Sequence, residues 1–343
     1  MNTEIINISN SKNKKEIYDK LLQYYENNKL VAIPTETVYG LSADAKSDEA
    51  ISKIYLAKGR PSDNPLIVHF YDISQLENIV DYSDIRVNKL MDSFWPGPMT
   101  LILNAIENNG ISKKVSAGLK TLAVRMPSNT TAREILKETK VLLAAPSANT
   151  SGKPSPTKFE HVYHDLYGKI DVIIEDEQSD IGLESTVIDC TRTPLVIARP
   201  GEITKEDIEK VLGEGSVKYN DEIISDNQAP IAPGMKYRHY SPEAELILYK
   251  QSFEDLIDLL KTKGKETGFI TYNCYKNKLK GLDISIKYLA ETEKSVEQSS
   301  KNLYNILREF DEENIKEIYI LPIKENKENI ALLNRLNKAI SKK

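Results

Sequence analysis

Short apolar runs alternate with longer amphipathic stretches through the first two hundred residues, the rhythm of an α/β fold. Lys14 to Asn28 sets Ile17, Leu21, Leu22 and Tyr25 on one helical face. Leu30 to Ile33 is an apolar run halted by Pro34, which predicts a buried strand ending in a loop. Ile51, Ile54 and Tyr55 give Asp48–Ala57 helical spacing, and Ser74–Phe94 predicts another helix, stopped by the double-proline turn Trp95–Pro98. Strands are predicted at Met99–Leu103, Thr121–Met126, Val141–Ala145, Val172–Ile174, Ser185–Asp189 and Leu195–Ala198. Helices are predicted at Asn129–Thr139, around Lys158–Tyr167, and from a Thr204 cap to Leu212.

From Gly213 to Pro242 the periodicity disappears. About thirty irregular residues inside a compact protein suggest a linker or a functional lid. A plain spacer has little use for Lys236, Tyr237, Arg238, His239 and Tyr240 side by side, so the pattern favours a lid. Beyond Glu245 the rhythm resumes, with strands expected at Leu246–Tyr249, Phe269–Tyr272 and Ile318–Leu321. Helices are expected at Phe253–Lys263, Val296–Phe310 and Asn329–Ile340. The predicted organisation is a first domain over residues 1–213, a linker or lid over 214–243, and a smaller accessory α/β domain over 244–343. That last domain has no Gly-x-Gly-x-x-Gly and no evident catalytic cluster, which assigns it to steadying or regulating the first.

Composition narrows the class. At 343 residues, 40% hydrophobic and 28% charged, the chain can bury a sizeable core. Its net charge of −5 argues against coating nucleic acid by bulk charge, although a local basic patch stays compatible with it. Two cysteines cannot build a disulfide framework or a thiolate zinc site, and the four histidines are scattered. The N-terminal residues lack the basic and apolar blocks of a signal peptide, and no window approaches about 18 continuous apolar residues. A cytoplasmic protein with no membrane contact is expected.

Candidate chemistry gathers where predicted strands end. Thr35, Glu36 and Thr37 follow the Leu30–Ile33 strand, where ligands bind in open α/β sheets. Gly40 gives the backbone freedom to turn away. Lys58 and Arg60 fall at a helix C-terminus, where cations are favoured. Asn64, His69, Arg125 and Arg199 lie at other strand ends, and Ser185 opens a strand. A guanidinium at the end of an apolar run such as Arg125 needs an anion; a buried Asp or Glu or a substrate carboxylate would serve equally. The loop Pro146–Thr157, with Ser147, Asn149 and Ser155, could cradle an anion, though it has no Walker spacing. Each piece alone also fits a bland role as turn residue, dipole partner or core histidine. Their coincidence points to an anion site.

Taken in order, these motifs resemble the threonylcarbamoyl-AMP synthase family, in its long form with a YrdC-like catalytic domain and a C-terminal accessory domain. The matching stretches are Pro34–Leu41, Lys58-Gly-Arg60-Pro with Asn64-Pro-Leu and His69, Trp95–Pro98 and Val124–Pro127. They continue with Ala145–Asn149 through Ser155–Thr157, Glu184–Thr186, Arg199–Gly201 and the linker-like Pro233–Pro242. The likeness is dense over residues 15–245 and loose afterwards. It implies a twisted, mixed α/β sheet in the first domain and a smaller Rossmann-like α/β domain after it. It also implies a reaction joining L-threonine, bicarbonate or CO2, and ATP into threonylcarbamoyl-AMP and pyrophosphate. The product would feed a separate transferase that modifies the adenosine next to the anticodon of certain tRNAs.

By motif position the resemblance assigns threonine to Thr35, His69, Arg125, Ser185 and the Ala145 backbone. It assigns ATP to Lys58, Arg60, Asn64, Thr121, Ser147, Asn149, Ser155, Arg199 and Tyr240, with Lys58 and Arg60 neutralising charge during transfer. Mg2+ would arrive with ATP, and no organic cofactor is implied. A related alternative is a carbamoyl-adenylate-forming carbamoyltransferase, disfavoured because those proteins resemble larger chains with cysteine-rich zinc motifs. A second is a non-catalytic RNA-binding module. No aromatic stacking platform is evident in the sequence, but weak direct contact with RNA stays compatible with a basic concave surface.

Overall fold

The computed structural model describes residues 2–8, 11, 13–220 and 240–340. Two units emerge, one built on residues 2–151, 156–180 and 184–220, the other on 152–155, 181–183 and 240–340. The first begins with β1 (Glu4–Asn7), α1 (Lys14–Glu26), β2 (Val31–Ile33), β3 (Gly40–Asp44), α2 (Asp48–Lys58) and β4 (Ile67–His69). It continues through β5 (Val80–Asp81), α3 (Ile85–Phe94), β6 (Met99–Ala105), β7 (Thr121–Arg125), α4 (Thr130–Thr139) and β8 (Leu143–Ala144). It ends with α5 (Phe159–Leu166), β9 (Val172–Glu175), β10 (Thr186–Asp189), β11 (Leu195–Arg199), α6 (Lys205–Leu212) and β12 (Val217–Tyr219).

These strands make one mixed sheet in the order β1-β9-β2-β3-β8-β4-β7-β6-β10-β11-β12, with β5 paired to the end of β6. β4 and β7 run parallel, Ile67 opposite Ala123 and His69 opposite Arg125. β8 is antiparallel to both β3 and β4, and β3 is antiparallel to β2. Strand direction therefore reverses three times between β2 and β4. The fold class read from sequence, a mixed α/β sheet with a smaller α/β domain, is the one observed.

Alternation of side chains decides what each face carries. Val68, Leu101 and Val124 belong to the main core, together with Ile51 and Ile54 of α2 and Leu90 and Met91 of α3. Their neighbours Ile67, Ile102, Ala123 and Val187 point the other way and join Ala198 in a small apolar floor. Each large aliphatic side chain fully buried in this way contributes roughly 1.5–3 kcal/mol. At the far side α1 and α4 cluster with β2 and β9 through Leu21, Tyr25, Ile135, Val31 and Val172.

Local chemistry explains the boundaries nearest the site. The Ser47 hydroxyl accepts from the Ala50 N–H at 3.1 Å to start α2, with Asp48 and Glu49 in its first turn and Lys58 in its last. Gly59, at φ +60°, closes that helix in the left-handed region. Thr204 and Asp207 cap α6 reciprocally.

Four expectations are corrected. Ser74–Phe94 is not one helix: a short 3-10 turn spans Ile73–Leu76, Asn78 takes φ +63°, β5 pairs with β6, and Asp84 caps α3 anew. Leu76, Val80 and Leu90 share a core although they sit on different elements, which mimics a single helical period. Gly40 does not turn the chain away but opens β3, opposite Ile33. Strand β12, paired with β11, begins inside the stretch read as irregular. The strand after Glu184 starts at Thr186, so Ser185 precedes it. The remainder of the expected lid, including Lys236, Tyr237, Arg238 and His239, lies outside the described residues.

The second unit contains β13 (Glu245–Leu248), α7 (Phe253–Leu260), β14 (Thr267–Thr271), β15 (Ser285–Tyr288), α8 (Val296–Glu312), β16 (Glu317–Ile320) and α9 (Ile330–Ile340). Its strands are all parallel, in the order β13-β16-β14-β15, a Rossmann-like arrangement. β15 had no counterpart in the sequence reading.

One glycine fixes how β10 begins. A Cβ on Gly201 would lie 2.3 Å from the Thr186 nitrogen and 2.7 Å from the Ser185 carbonyl carbon. Gly201→Ala is expected to cost about 1–3 kcal/mol, seen as a lower urea midpoint at unchanged slope. An unchanged midpoint would show that the turn after β11 is not held against Ser185.

Candidate active site

The polar residues singled out from sequence do not gather at one set of strand ends, because neighbouring strands run both ways. What unites many of them is the face of the sheet that carries the Ile67–Ala198 floor. By register and alternation His69, Thr121 and Arg125 lie on it, and Thr100 of β6 and Ser185 join through a 2.8 Å hydrogen bond between their hydroxyls. Arg199 donates from Nη2 to the Ser185 hydroxyl and from Nε to the Ser185 carbonyl, both at 3.1 Å.

Arg125 organises one end. Its guanidinium stands 2.7 Å from the Glu36 carboxylate, both side chains being about 5% exposed. Nη1 donates to the Thr37 hydroxyl at 2.9 Å and Nε to the Gly97 carbonyl at 3.4 Å. A buried carboxylate partner therefore exists, one of the two alternatives left open by sequence. Nε and Nη1 each have a hydrogen-bond acceptor in the protein, whereas Nη2 meets Glu36 as an ion pair without an aligned hydrogen bond, so donors remain for a ligand carboxylate.

Thr35 is buried beside this pair. Its hydroxyl donates to the Val38 carbonyl at 2.7 Å and lies 2.9 Å from that of Thr37. Burial would raise the pKa of Glu36, but the charge and hydrogen bonding of Arg125, helped by backbone donors, hold it below the usual carboxylate range. Burial pushes His69 down to about 3, and the Arg125 charge adds to it against Glu36 and backbone carbonyls. His69 is thus neutral at physiological pH. Its Nδ1 lies 3.2 Å from the Ile67 carbonyl, a contact that favours the tautomer with hydrogen on Nδ1 and the lone pair on Nε2.

Lys58 and Arg60 organise the other end. Lys58 Nζ donates to the carbonyls of Ser147 and Asn149, each at 2.5 Å, and the Ser147 hydroxyl bonds the Asn149 side chain at 2.6 Å. Ala145 N donates to the Ile67 carbonyl at 2.9 Å, and Ser147 bridges to Gly40, so the loop lies along the sheet rim. Arg60 Nη2 donates to the carbonyls of Asn64 and Pro65 at 3.4 and 3.2 Å. Continuing the β4–β7 register backwards sets Pro65 level with Thr121. Thr121 and Arg125 are four residues apart on one strand, roughly 13 Å at about 3.3 Å per residue. Both amide atoms of Asn64 are buried without a hydrogen-bond partner among the described residues.

Two of the expected residues fall in the second unit. Ser155 is buried there, and Tyr240, at φ +67°, stacks on Tyr304 with ring centroids 5.4 Å apart beneath Arg335. Sequence reading missed the roles of Glu36, Thr37 and Thr100. For Glu36 the signal was the anion that Arg125 demanded; Thr100 sits in an apolar strand and gave none. Phe159, Tyr163 and Tyr167 form a ladder with centroids 5.9 and 4.5 Å apart, both tyrosines exposed.

Comparison with known proteins adds a second line. The Sua5/YciO/YrdC family model, described as telomere recombination, matches residues 23–201. A model described as threonylcarbamoyl-AMP synthase, C-terminal domain, matches residues 203–341. The threonylcarbamoyl-AMP synthase of Bacillus subtilis is 45% identical over 318 residues, spanning 91% of this chain and 89% of its own. The protein of the same name from Pyrococcus abyssi is 41% identical over 324 residues, 92% of each chain. The crystal structure of P. abyssi Sua5 complexed with L-threonine superposes with a TM-score of 0.86 at 38% identity, covering 99% of this chain and 98% of that one.

Two outcomes are expected from the Arg125 end. Glu36→Gln leaves a buried guanidinium without its carboxylate and should cost about 3–5 kcal/mol in urea unfolding at pH 7. A loss below about 1 kcal/mol, typical of surface pairs, would mean that the pair is effectively solvated. Between pH about 3 and 6.5 the unfolded chain protonates His69 and the native one does not, so stability should rise with pH. This one group contributes up to about 1.4 kcal/mol per pH unit in that window, and His69→Gln should remove that part of the slope.

Proposed function

The chain belongs to the threonylcarbamoyl-AMP synthase family, and from that premise we propose that residues 1–213 carry out the synthesis on the sheet face between Lys58 and Arg125. The protein is a threonylcarbamoyl-AMP synthase, an ATP-using transferase of tRNA modification. Its substrates in this reading are L-threonine, bicarbonate or CO2, and ATP. The observation that carries it is the burial, in one unit, of four cations: Lys58, Arg60, Arg125 and Arg199, each at most 9% exposed. Such an arrangement suits two anionic substrates, a carboxylate and a triphosphate.

Threonine lies at the Arg125 end. Its carboxylate takes the remaining guanidinium donors, and neutral His69 offers the Nε2 lone pair to its ammonium or hydroxyl, beside Thr35, Ser185 and the Ala145 backbone. The triphosphate lies at the Lys58 end, against Arg60, Ser147, Asn149, Ser155 and Thr121, and Arg199, which is bonded to Ser185 at the Arg125 end, meets it from the threonine side. The buried Asn64 amide offers a donor and an acceptor to the nucleotide. Tyr240 keeps its expected ATP contact only as a proposal, since its ring is taken up by Tyr304 and Arg335.

The threonine nitrogen adds to CO2 with loss of a proton, or to bicarbonate with loss of water, to give a carbamate. A carbamate oxygen then attacks the α-phosphorus, the bond to the bridging oxygen breaks, and pyrophosphate leaves. Alignment and charge neutralisation are what such a transfer requires, and Lys58, Arg60 and Arg199 supply both. Mg2+ would enter on the triphosphate. Among the described residues no three His, Cys, Asp or Glu side chains are grouped to hold an ion.

The stretch beyond β12, up to residue 243, acts as linker and lid, and residues 244–343 as the accessory domain. The product passes to a separate tRNA-modifying transferase. Among the described residues no helix is long and apolar enough to cross a membrane, and we place the reaction in the cytoplasm.

The test incubates the full chain with Mg-ATP, bicarbonate and threonine and follows pyrophosphate. Release that depends on threonine is expected; release with carbamoyl phosphate alone would favour a carbamoyltransferase, and none at all an RNA-binding protein. Arg60→Ala should lower kcat/KM for ATP by about 10²–10³ while circular dichroism stays native. Undiminished release would remove Arg60 from the phosphate site.

A further inference from the structure

One side of α8 in the second unit holds three stretches of chain that are remote in sequence. Lys301, Tyr304, Arg308 and Asp311 recur at intervals of three and four, so they share a helical face. Gly182 lies so close to that helix that a Cβ there would meet the Lys301 Cα at 2.5 Å. Tyr304 stacks on Tyr240, and the Asp311 carboxylate accepts from the Glu243 N–H at 2.7 Å. Arg308, itself buried, donates from Nη2 to the Pro154 carbonyl at 2.6 Å. In the same unit Ser241 N donates to the Gly152 carbonyl at 3.0 Å, and Lys153 pairs with Glu243 at 3.1 Å.

Gly152–Ser155 is the middle of the loop whose earlier residues receive Lys58. The carbonyls of Ser147 and Asn149 accept from its ammonium, and the Ser151 N–H donates to its carbonyl at 2.8 Å. Ser155 follows Pro154 directly. Gly152 takes φ +94°, a conformation that adds a swivel to an already Ser/Gly/Pro-rich segment. A segment of that composition takes its shape from whatever grips it: Ser241 and Glu243 hold Gly152 and Lys153, and α8 holds Pro154 through Arg308.

We propose that Arg308 is a positioning residue for the nucleotide end of the site. By fixing the Pro154 carbonyl it fixes Ser155 and, three peptide units back, helps to place the Ser151 N–H that holds the Lys58 carbonyl. The accessory domain thereby contributes to catalysis without touching substrate. This proposal rests on the synthase reading given above.

The experiment compares Arg308→Met, which fills the stem but cannot donate, with Arg308→Lys, which can, in the full chain. Pyrophosphate release is measured with ATP and threonine varied separately. Affinities for L-threonine and for a non-hydrolysable ATP analogue come from calorimetry. Arg308→Met should raise the ATP KM or lower kcat by about 10- to 100-fold, weaken the analogue, and leave threonine affinity within about twofold. Arg308→Lys should restore most of the loss. Wild-type values for Arg308→Met, or parallel weakening of both ligands in step with a lower urea midpoint, would overturn the proposal. Should Arg308→Met fail to fold, Arg308→Gln, which is too short to reach Pro154, takes its place with the same readouts. A wild-type chain that binds the analogue yet releases no threonine-dependent pyrophosphate would sink the synthase reading instead, while the analogue titrations still judge Arg308.

Discussion

The ion pair between Glu36 and Arg125 is the constraint on which the rest of the site depends. It joins the loop after β2 to the end of β7, two places that strand pairing alone does not connect. Desolvating two charges costs several kcal/mol per ion, and their attraction in a low-dielectric setting offsets most of that. Its net stabilisation is small, but removing either partner strands the other. The pair also sets the state of its surroundings: the guanidinium charge helps keep His69 neutral, and the Thr37 hydroxyl is committed to it.

Around that pair the mixed sheet sets polar side chains at two ends of one face, the two ends between which the proposed reaction is divided. Because strand direction reverses repeatedly between β2 and β4, the rule that ligands sit at strand C-termini does not apply here as it does in an all-parallel sheet. Alternation along β4, β6, β7 and β10 takes its place, with polar groups at both margins of an apolar floor. The apolar residues of α2 lie in the main core, and the left-handed Gly59 at its end sends Lys58 and Arg60 to different sets of carbonyls.

Much of this was legible in the chain because the signals are local. The Thr204 cap, the stop at Trp95–Pro98 and the apolar runs at Met99 and Thr121 depend on neighbours a few residues away. The need of Arg125 for an anion was legible too, but not the identity of Glu36, since the two are far apart in sequence and no periodicity links them. The split of Ser74–Phe94 was hidden because three elements present their apolar residues to one core. Short strands such as β3, β12 and β15 escaped notice because a run of three to five residues carries little period of its own. That Gly152–Ser155 belongs to the second unit is a tertiary fact with no trace in composition.

The two-residue strand β8 sits between β3 and β4, yet it is made about a hundred residues after the first of them. A chain emerging from the ribosome therefore presents β3 and β4 with their shared seam open until Ala144 arrives, and β1 and β2 wait longer still for β9. Such late closure means that sheet edges stay unpaired during synthesis, the condition under which nascent chains aggregate or engage chaperones. The loop that receives Lys58 follows β8 directly, so the carbonyls of Ser147 and Asn149 meet that ammonium only when translation is well past the midpoint of the first domain.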